Sequence, residues 1–258
     1  MTDPIERITA RMREIWPGAD LPDNIDGIAL RAADDLAGNA TREKIALRLC
    51  GQSGSGKSTQ LMPMAEKYFE ARNIKPAHIA VRNFVKYFPS LEELSARVGK
   101  ENLREATNAF ALLLQFFVVG HLARRGVAMA LELALLEPLF EEWIIRALGD
   151  YEVEMHGIVC PRNISDGFIT KRTSASGRIV NEESADYFYR EYEHGLASWI
   201  AARPGARCVL WAVHSADPVY DGPVSGALAA FQIHRAKDCT PLPEEVLRAA
   251  KLRFANPA

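Results

Sequence analysis

The sequence predicts an α/β protein with a parallel sheet of about five strands, helices on both faces and a helical N-terminal extension. Two observations predict it. From position 45 onward, short apolar runs alternate with longer segments of helical period, which is the pattern of strands joined by helical crossovers. Directly behind the first apolar run, Ile45-Ala46-Leu47-Arg48-Leu49-Cys50, stands Gly51-Gln52-Ser53-Gly54-Ser55-Gly56-Lys57-Ser58 followed by Thr59, a glycine-rich turn opening a helix.

Residues 1–43 read as the extension, with helical patterns over 4–16 and 25–36 separated by the breaks Pro17-Gly18 and Leu21-Pro22. Residues 44–258 read as one domain: strand 45–50, helix 58–72, strand 77–81, helices 90–98 and 104–124, strand 127–131, helix 139–148, strand 152–159, helical material over 165–201 and strand 208–213. Residues 218–226 read as a loop and 254–258 as a frayed end. In such a sheet ligands bind beyond the carboxyl ends of the strands, so the residues just after each strand are the candidates for chemistry.

The glycine-rich run is a complete G-x-x-x-x-G-K-[ST] phosphate-binding loop, which assigns the domain to the P-loop NTPases. Its glycines let backbone N–H groups approach phosphate oxygens, and the following helix aims its positive end at them. The residues from Gly51 through Thr59 are therefore the nucleotide-binding set, with Lys57 for the β/γ-phosphates and Ser58 for a magnesium ion. ATP and Mg2+ are the expected cofactors.

Bulk composition narrows the ligands. The 31 basic and 33 acidic residues nearly cancel, so no global positive field exists to hold a nucleic-acid backbone or an anionic bilayer, and a small-molecule substrate fits better. Cys50, Cys160, Cys208 and Cys239 lie far apart, with no CxxC pair, and the three in strand-like apolar stretches read as buried thiols. The six histidines show no metal-binding spacing. The N-terminus lacks the pattern of a secretory signal, and the most apolar stretch, 109–119, is too short to span a bilayer, so a soluble cytoplasmic protein is expected.

Among P-loop proteins, a GTPase needs D-x-x-G and N-K-x-D motifs, and an ABC-type ATPase an L-S-G-G-Q-like signature; none is in a plausible place. Small-molecule kinases remain, and these need an arginine-bearing lid over the phosphates. Residues 162–180 supply a candidate in Lys171-Arg172-Thr173-Ser174-Ala175-Ser176-Gly177-Arg178, where Arg172 and Arg178 either stabilise charge on the γ-phosphoryl group or simply solvate a helix. Glu132 ends the apolar strand Val127-Ala128-Met129-Ala130-Leu131, where a carboxylate costs desolvation unless it is used, and it is the candidate for orienting the acceptor. Asn108, with Thr107, opens the long apolar helix and either faces the substrate cleft or is satisfied by local backbone.

This pattern resembles the zeta toxin family, P-loop kinases of bacterial toxin–antitoxin systems that phosphorylate a sugar hydroxyl of UDP-N-acetylglucosamine. The similarity runs from about Ile45 to Val213 and rests on the loop Gly51–Ser58, the stretch Phe84–Pro89, Glu132 in Leu131-Glu132-Leu133, and Arg172 with Arg178. The resemblance implies that Lys57 and Ser58 serve ATP and magnesium, that Glu132 contacts the amino sugar, that Arg172 and Arg178 contact the phosphates, and that a small helical antitoxin protein is a partner.

One departure stands out. The family usually carries an aspartate just after the second strand, in a D-x-[FY]-[RK]-x-x-H-P-like segment, where it takes the proton of the attacking hydroxyl. Here Val81-Arg82-Asn83-Phe84-Val85-Lys86-Tyr87-Phe88-Pro89 contains no acid, and Arg82 stands at or next to that position. Arginine is not a base at neutral pH. Either Glu132 or another acid takes the proton, or Arg82 binds an anionic group of a different substrate. A further alternative is that the chain is a nucleotide-binding module with weakened catalysis acting through a protein partner. A kinase of another small molecule, such as a nucleoside or an antibiotic, stays open on the same fold.

Overall fold

Buried apolar runs pair into one sheet, whose strands are β1 (Ile45–Cys50), β2 (Ala77–Ala80), β3 (Met129–Glu132), β4 (Glu152–Val159), β5 (Arg207–Ala212) and β6 (Tyr220–Pro223). They lie side by side in the order β2-β3-β1-β4-β5-β6 in a computed structural model that describes residues 4–17, 19–100, 102–176, 182–213, 215 and 217–235. The first five strands are parallel and β6 runs antiparallel to β5. The parallel strands were legible because strands covered on both faces are near-continuous apolar runs. β6 corrects the reading of 218–226 as a loop: Tyr220-Asp221-Gly222-Pro223 has no apolar alternation, and an edge strand tolerates a proline that a central one does not.

Side chains alternate across the sheet. On one face Ala46, Cys50, Met129, Leu131, Met155 and Leu210 join the larger core. Its centre is α6 (Asn108–Arg124), apolar all round and buried along almost its whole length, as a helix packed on every side must be. The extension packs there too. Ile8 and Met12 of α1 (Pro4–Ile15) and Ile28, Ala29, Ala32 and Ala33 of α2 (Ile25–Ala37) are buried in the same core, each large side chain contributing roughly 1.5–3 kcal/mol relative to exposure. Polar ties reinforce the seam: Asp26 meets His121 at 3.0 Å and Asp34 meets Arg125 at 2.7 Å.

The opposite face is covered by α3 (Met62–Glu70), which sets Ala65 and Phe69, with Leu61 just before it, against Leu47, Leu49, Ala130, Ile158, Val209 and Trp211. The helix entering α3 opens with a wide turn over Lys57–Leu61, in which the Met62 N–H donates to the Lys57 carbonyl. Pro63 gives the reason. It has no N–H for the Thr59 carbonyl and its ring would clash there, so the first turn widens to accommodate it.

The remaining helices are α4 (Leu91–Val98), α5 (Leu103–Ala106), α7 (Pro138–Ala147), α8 (Arg162–Ser176), α9 (Glu182–Ala202) and α10 (Ala227–Arg235). The helical material expected over 165–201 is thus α8 and α9. No helix of the described residues is long and apolar enough to cross a membrane.

Candidate functional site

The glycine-rich loop leaves the carboxyl end of β1, the strand between β3 and β4 in the sheet. The helix after β1, α3, covers one face of the sheet and the helix after the adjacent β3, α7, the other, which makes the crevice between their strand ends the place where an open α/β sheet receives a ligand. Gly54 (φ +77°) and Gly56 (φ +94°) take left-handed conformations that side-chain-bearing residues rarely adopt. At Gly54 a Cβ would also stand 2.5 Å from the Ser165 carbonyl oxygen, so the start of α8 is seated directly on the loop. The Gln52 side-chain amide donates to the Cys160 carbonyl just past β4, and the Gln60 amide reaches the Ser215 carbonyl past β5 at 3.1 Å. The loop is thereby tied to two neighbouring strand ends. Lys57 Nζ arches back over it, donating to the Gln52 carbonyl at 2.9 Å and to the Gly51 carbonyl. The Thr59 hydroxyl turns inward to the Gly56 carbonyl at 3.0 Å.

Strand register brings the next three residues together. Glu132 ends β3 opposite Leu49 of β1 and Ala80 of β2, and Arg82 lies in the short helical turn Val81–Asn83 that follows β2. The Ser58 hydroxyl donates to Glu132 Oε1 at 2.5 Å. Arg82 Nη1 lies 2.7 Å from Glu132 Oε2 and donates to Ser58 Oγ at 3.2 Å, and His78 Nε2 of β2 lies 3.6 Å from Glu132 Oε2. Glu132 is only 7% exposed. Burial pushes its carboxyl up, but His78 beside it, the Ser58 hydrogen bond and the charges of Arg82 and Lys57 outweigh that and hold it down at about 2. Glu132 is a fixed anion at neutral pH.

Two features that sequence reasoning did not single out position this group. Gln115, buried in α6, directs its amide at the Ile79 and Glu132 carbonyls, both at 3.5 Å, between the ends of β2 and β3. Beneath the loop that follows Glu132, Arg48 and Glu141 form an ion pair at 2.8 Å with both side chains fully buried. Glu141 also accepts the Leu136 N–H at 2.9 Å and the Trp199 indole N–H at 2.7 Å, while Arg48 donates to the Ala134 carbonyl at 3.2 Å. The pair therefore pins 134–136, the backbone leaving β3, to β1, α7 and α9. Arg48 had a faint signal, a charge inside an apolar strand; its partners lie far along the chain.

The other candidates are spread wider. Asn108 begins α6 seven residues before Gln115, two turns and ~10 Å along the helix. Beside it the Thr107 hydroxyl bonds the Leu103 carbonyl at 2.9 Å, a local satisfaction of the kind expected. Arg172 is placed within α8, but its side chain lies outside the described residues, as Arg178 does entirely. At the start of α8, Arg162 pairs with Asp166 at 2.8 Å and Asp186 at 2.6 Å.

Ser58 Oγ and the Glu132 carboxylate are hard oxygen donors of the kind a magnesium ion takes. As arranged here they do not fit one, because the Arg82 guanidinium already rests on both.

Comparison with known proteins agrees with this architecture. No curated protein matches the chain by sequence. Among solved structures, one from the PezAT chromosomal toxin–antitoxin system of the human pathogen Streptococcus pneumoniae superposes with a TM-score of 0.61 at 19% identity, over 92% of this chain and 97% of that one. The complex AvrRxo1-ORF1:-ORF2 with ATP superposes with a TM-score of 0.53 at 12% identity, over 98% and 86%. The same complex with sulphate ions gives 0.52 at 12% identity, over 97% and 84%. At these identities the likeness is one of fold. The family model described as Zeta toxin matches residues 31–202, about two thirds of the chain. With the phosphate-binding loop and Glu132 inside that span, the chain belongs to the zeta toxin family of P-loop kinases.

Proposed function

We propose that this chain transfers the γ-phosphoryl group of ATP to a hydroxyl of a nucleotide-linked sugar, with UDP-N-acetylglucosamine the first acceptor to test. The observation that carries the reading is the convergence of Lys57, Ser58 and Glu132 at the carboxyl ends of β1 and β3, with Arg82 after β2 closing the group. Phosphoryl transfer demands little covalent work from a protein beyond holding the reactants and neutralising charge. Lys57 leaves the loop carbonyls for the phosphates, and the loop's backbone N–H groups bind their oxygens. Glu132, kept ionised, orients the acceptor by accepting a hydrogen bond from it; a carboxylate this acidic is a weak proton acceptor. Asn108 and Arg82 line the acceptor's approach, and Arg172 and Arg178 close over the γ-phosphoryl group from the lid. Domain limits at 1–43 and 44–258 go with this reading, as does a small helical antitoxin covering the nucleotide site, an inference supported by the toxin–antitoxin system named for one structural neighbour.

A second reading has one specific observation in its favour. Arg82 stands at or next to the position where the family usually carries an acid, and Glu132 is engaged by three neighbours. On that reading the chain binds ATP and acts through a protein partner without efficient transfer. Incubating the purified chain with ATP, magnesium and separate acceptors (UDP-sugars, free sugars, nucleosides, antibiotics), while following ADP and product mass, separates the two. One acceptor gaining a phosphate, and failing to with Lys57→Ala, supports the kinase. ATP binding with no acceptor modified supports the binding module.

A further inference from the structure

Arg82 is the residue the family pattern does not explain, and its placement is built rather than incidental. The turn that carries it, Val81–Asn83, is anchored by the fully buried Phe84 ring on one side and by the Asn83 amide, which donates to the His78 carbonyl at 3.3 Å, on the other. Its Nη1 contacts the two oxygen atoms that define the phosphate end of the site, Ser58 Oγ at 3.2 Å and Glu132 Oε2 at 2.7 Å. The side chain is still 41% exposed. A guanidinium carries five N–H donors in a planar fork, stays charged at all working pH values and matches phosphate oxygens in pairs. A group with one edge on a carboxylate and a hydroxyl, and the rest open beside a phosphate-binding loop, has donors to spare for a phosphate.

We propose that Arg82 is a resident cation of the nucleotide site: it holds the Ser58 hydroxyl and the Glu132 carboxylate, joins Lys57 in neutralising the triphosphate, and so makes ATP binding by this chain largely independent of magnesium. The proposal rests on nucleotide binding at the Gly51–Ser58 loop and goes beyond it by assigning the charge balance to a side chain. A divalent ion and the guanidinium compete for the same two oxygens. Removing the guanidinium should therefore weaken metal-free binding and at the same time open the donors to a metal.

The test is titration of a fluorescent ATP analogue into the full chain, with magnesium and with EDTA, for the wild type, Arg82→Met and Lys57→Ala. Thermal melts of the unliganded proteins verify folding. The proposal predicts wild-type affinities within about threefold of each other in the two conditions, and an Arg82→Met variant that binds at least about tenfold more weakly in EDTA and recovers with magnesium. Manganese binding to the protein–ADP complex, read by electron paramagnetic resonance, should tighten in Arg82→Met. Should that variant not fold, Arg82→Lys, which keeps the charge but loses the fork, is expected to show the same trend to a lesser degree. Wild-type binding that weakens by about tenfold or more in EDTA, or a ratio between the two conditions that is unchanged in the Arg82 variant, overturns the resident cation. Failure of the wild type to bind ATP in either condition overturns the nucleotide reading itself.

Discussion

Arg82 and Glu132 face each other across the carboxyl ends of β2 and β3, guanidinium nitrogen to carboxylate oxygen at 2.7 Å, with the Ser58 hydroxyl bonded to the other carboxylate oxygen. This couples the phosphate-binding loop to the turn after β2 through one buried anion. Replacing Glu132 with Gln keeps the shape and removes the charge, leaving Arg82 without its counter-ion. Phosphoryl transfer is expected to fall by about 10²-fold or more, the scale seen when one fixed electrostatic group is removed, while ATP affinity changes far less. Steady-state kinetics beside nucleotide titration would check the split; an equal loss in both would place Glu132 in nucleotide binding alone.

Lys57 donates to two loop carbonyls, and buried Glu132, whose ionised form its charge also favours, keeps Arg82 as counter-ion when Lys57 is removed. Lys57→Ala is expected to abolish transfer and to shift the melting temperature by no more than a few degrees, about 1 kcal/mol at this size. A calorimetric scan and an ADP-release assay on the same preparation measure both. Transfer at the wild-type rate contradicts the assignment of the loop.

The acidity of Glu132 makes a signed prediction about pH. Its folded value lies near 2, below the ordinary 4.5, so ionised Glu132 contributes stability that is fully present above about 4.5 and is lost as pH falls toward 2. In Glu132→Gln that part of the acid-side slope should disappear, leaving a flatter dependence of denaturation midpoint on pH between those limits. An identical acid slope in the two proteins means that the neighbours do not hold the carboxyl in its ionised form.

Below the site, Arg48 and Glu141 are both fully buried, so deleting one strands the other. Glu141→Ala is expected to cost about 3–5 kcal/mol, whereas Arg48→Met combined with Glu141→Leu, which removes both charges and keeps the volume, should recover most of that loss. Chemical denaturation of the three proteins gives the comparison; additive losses would mean that the two side chains do not act as a pair. The double variant also reports on function, since these residues pin the backbone that leaves Glu132.

At Gly54 a methyl group meets the Ser165 carbonyl at 2.5 Å and a backbone angle of +77°. Gly54→Ala should therefore unseat α8 from the loop, with ATP affinity falling at least tenfold for a stability change of about 1–3 kcal/mol. The matching substitution at Gly167, where a Cβ meets nothing within 4 Å, serves as the control on the same helix.

The parts of this molecule that were legible in its sequence are those whose signal is local. The loop from Gly51 to Ser58 is contiguous, and the parallel strands are apolar runs bounded by turn residues. Glu132 was legible because an acid closing such a run needs a use, and Arg82 because it departs from a pattern. What escaped depends on pairing at long separation. Glu141 meets Arg48 across 93 positions and Trp199 across 58, and neither spacing leaves a periodic trace. Gln115 sits in an apolar helix, where a single amide reads as tolerated polarity until the strand ends it bonds are known. β6 escaped because an edge strand with alternate exposed positions, a glycine and a proline shares its composition with a loop.

The most direct measurement of the central claim is the mass of UDP-N-acetylglucosamine after incubation with the purified chain, ATP and magnesium, beside Lys57→Ala. The account predicts a product one phosphate heavier, formed in step with ADP and absent with the variant. An unmodified sugar nucleotide, with all other hydroxyl acceptors equally unmodified while ATP binds normally, would contradict it.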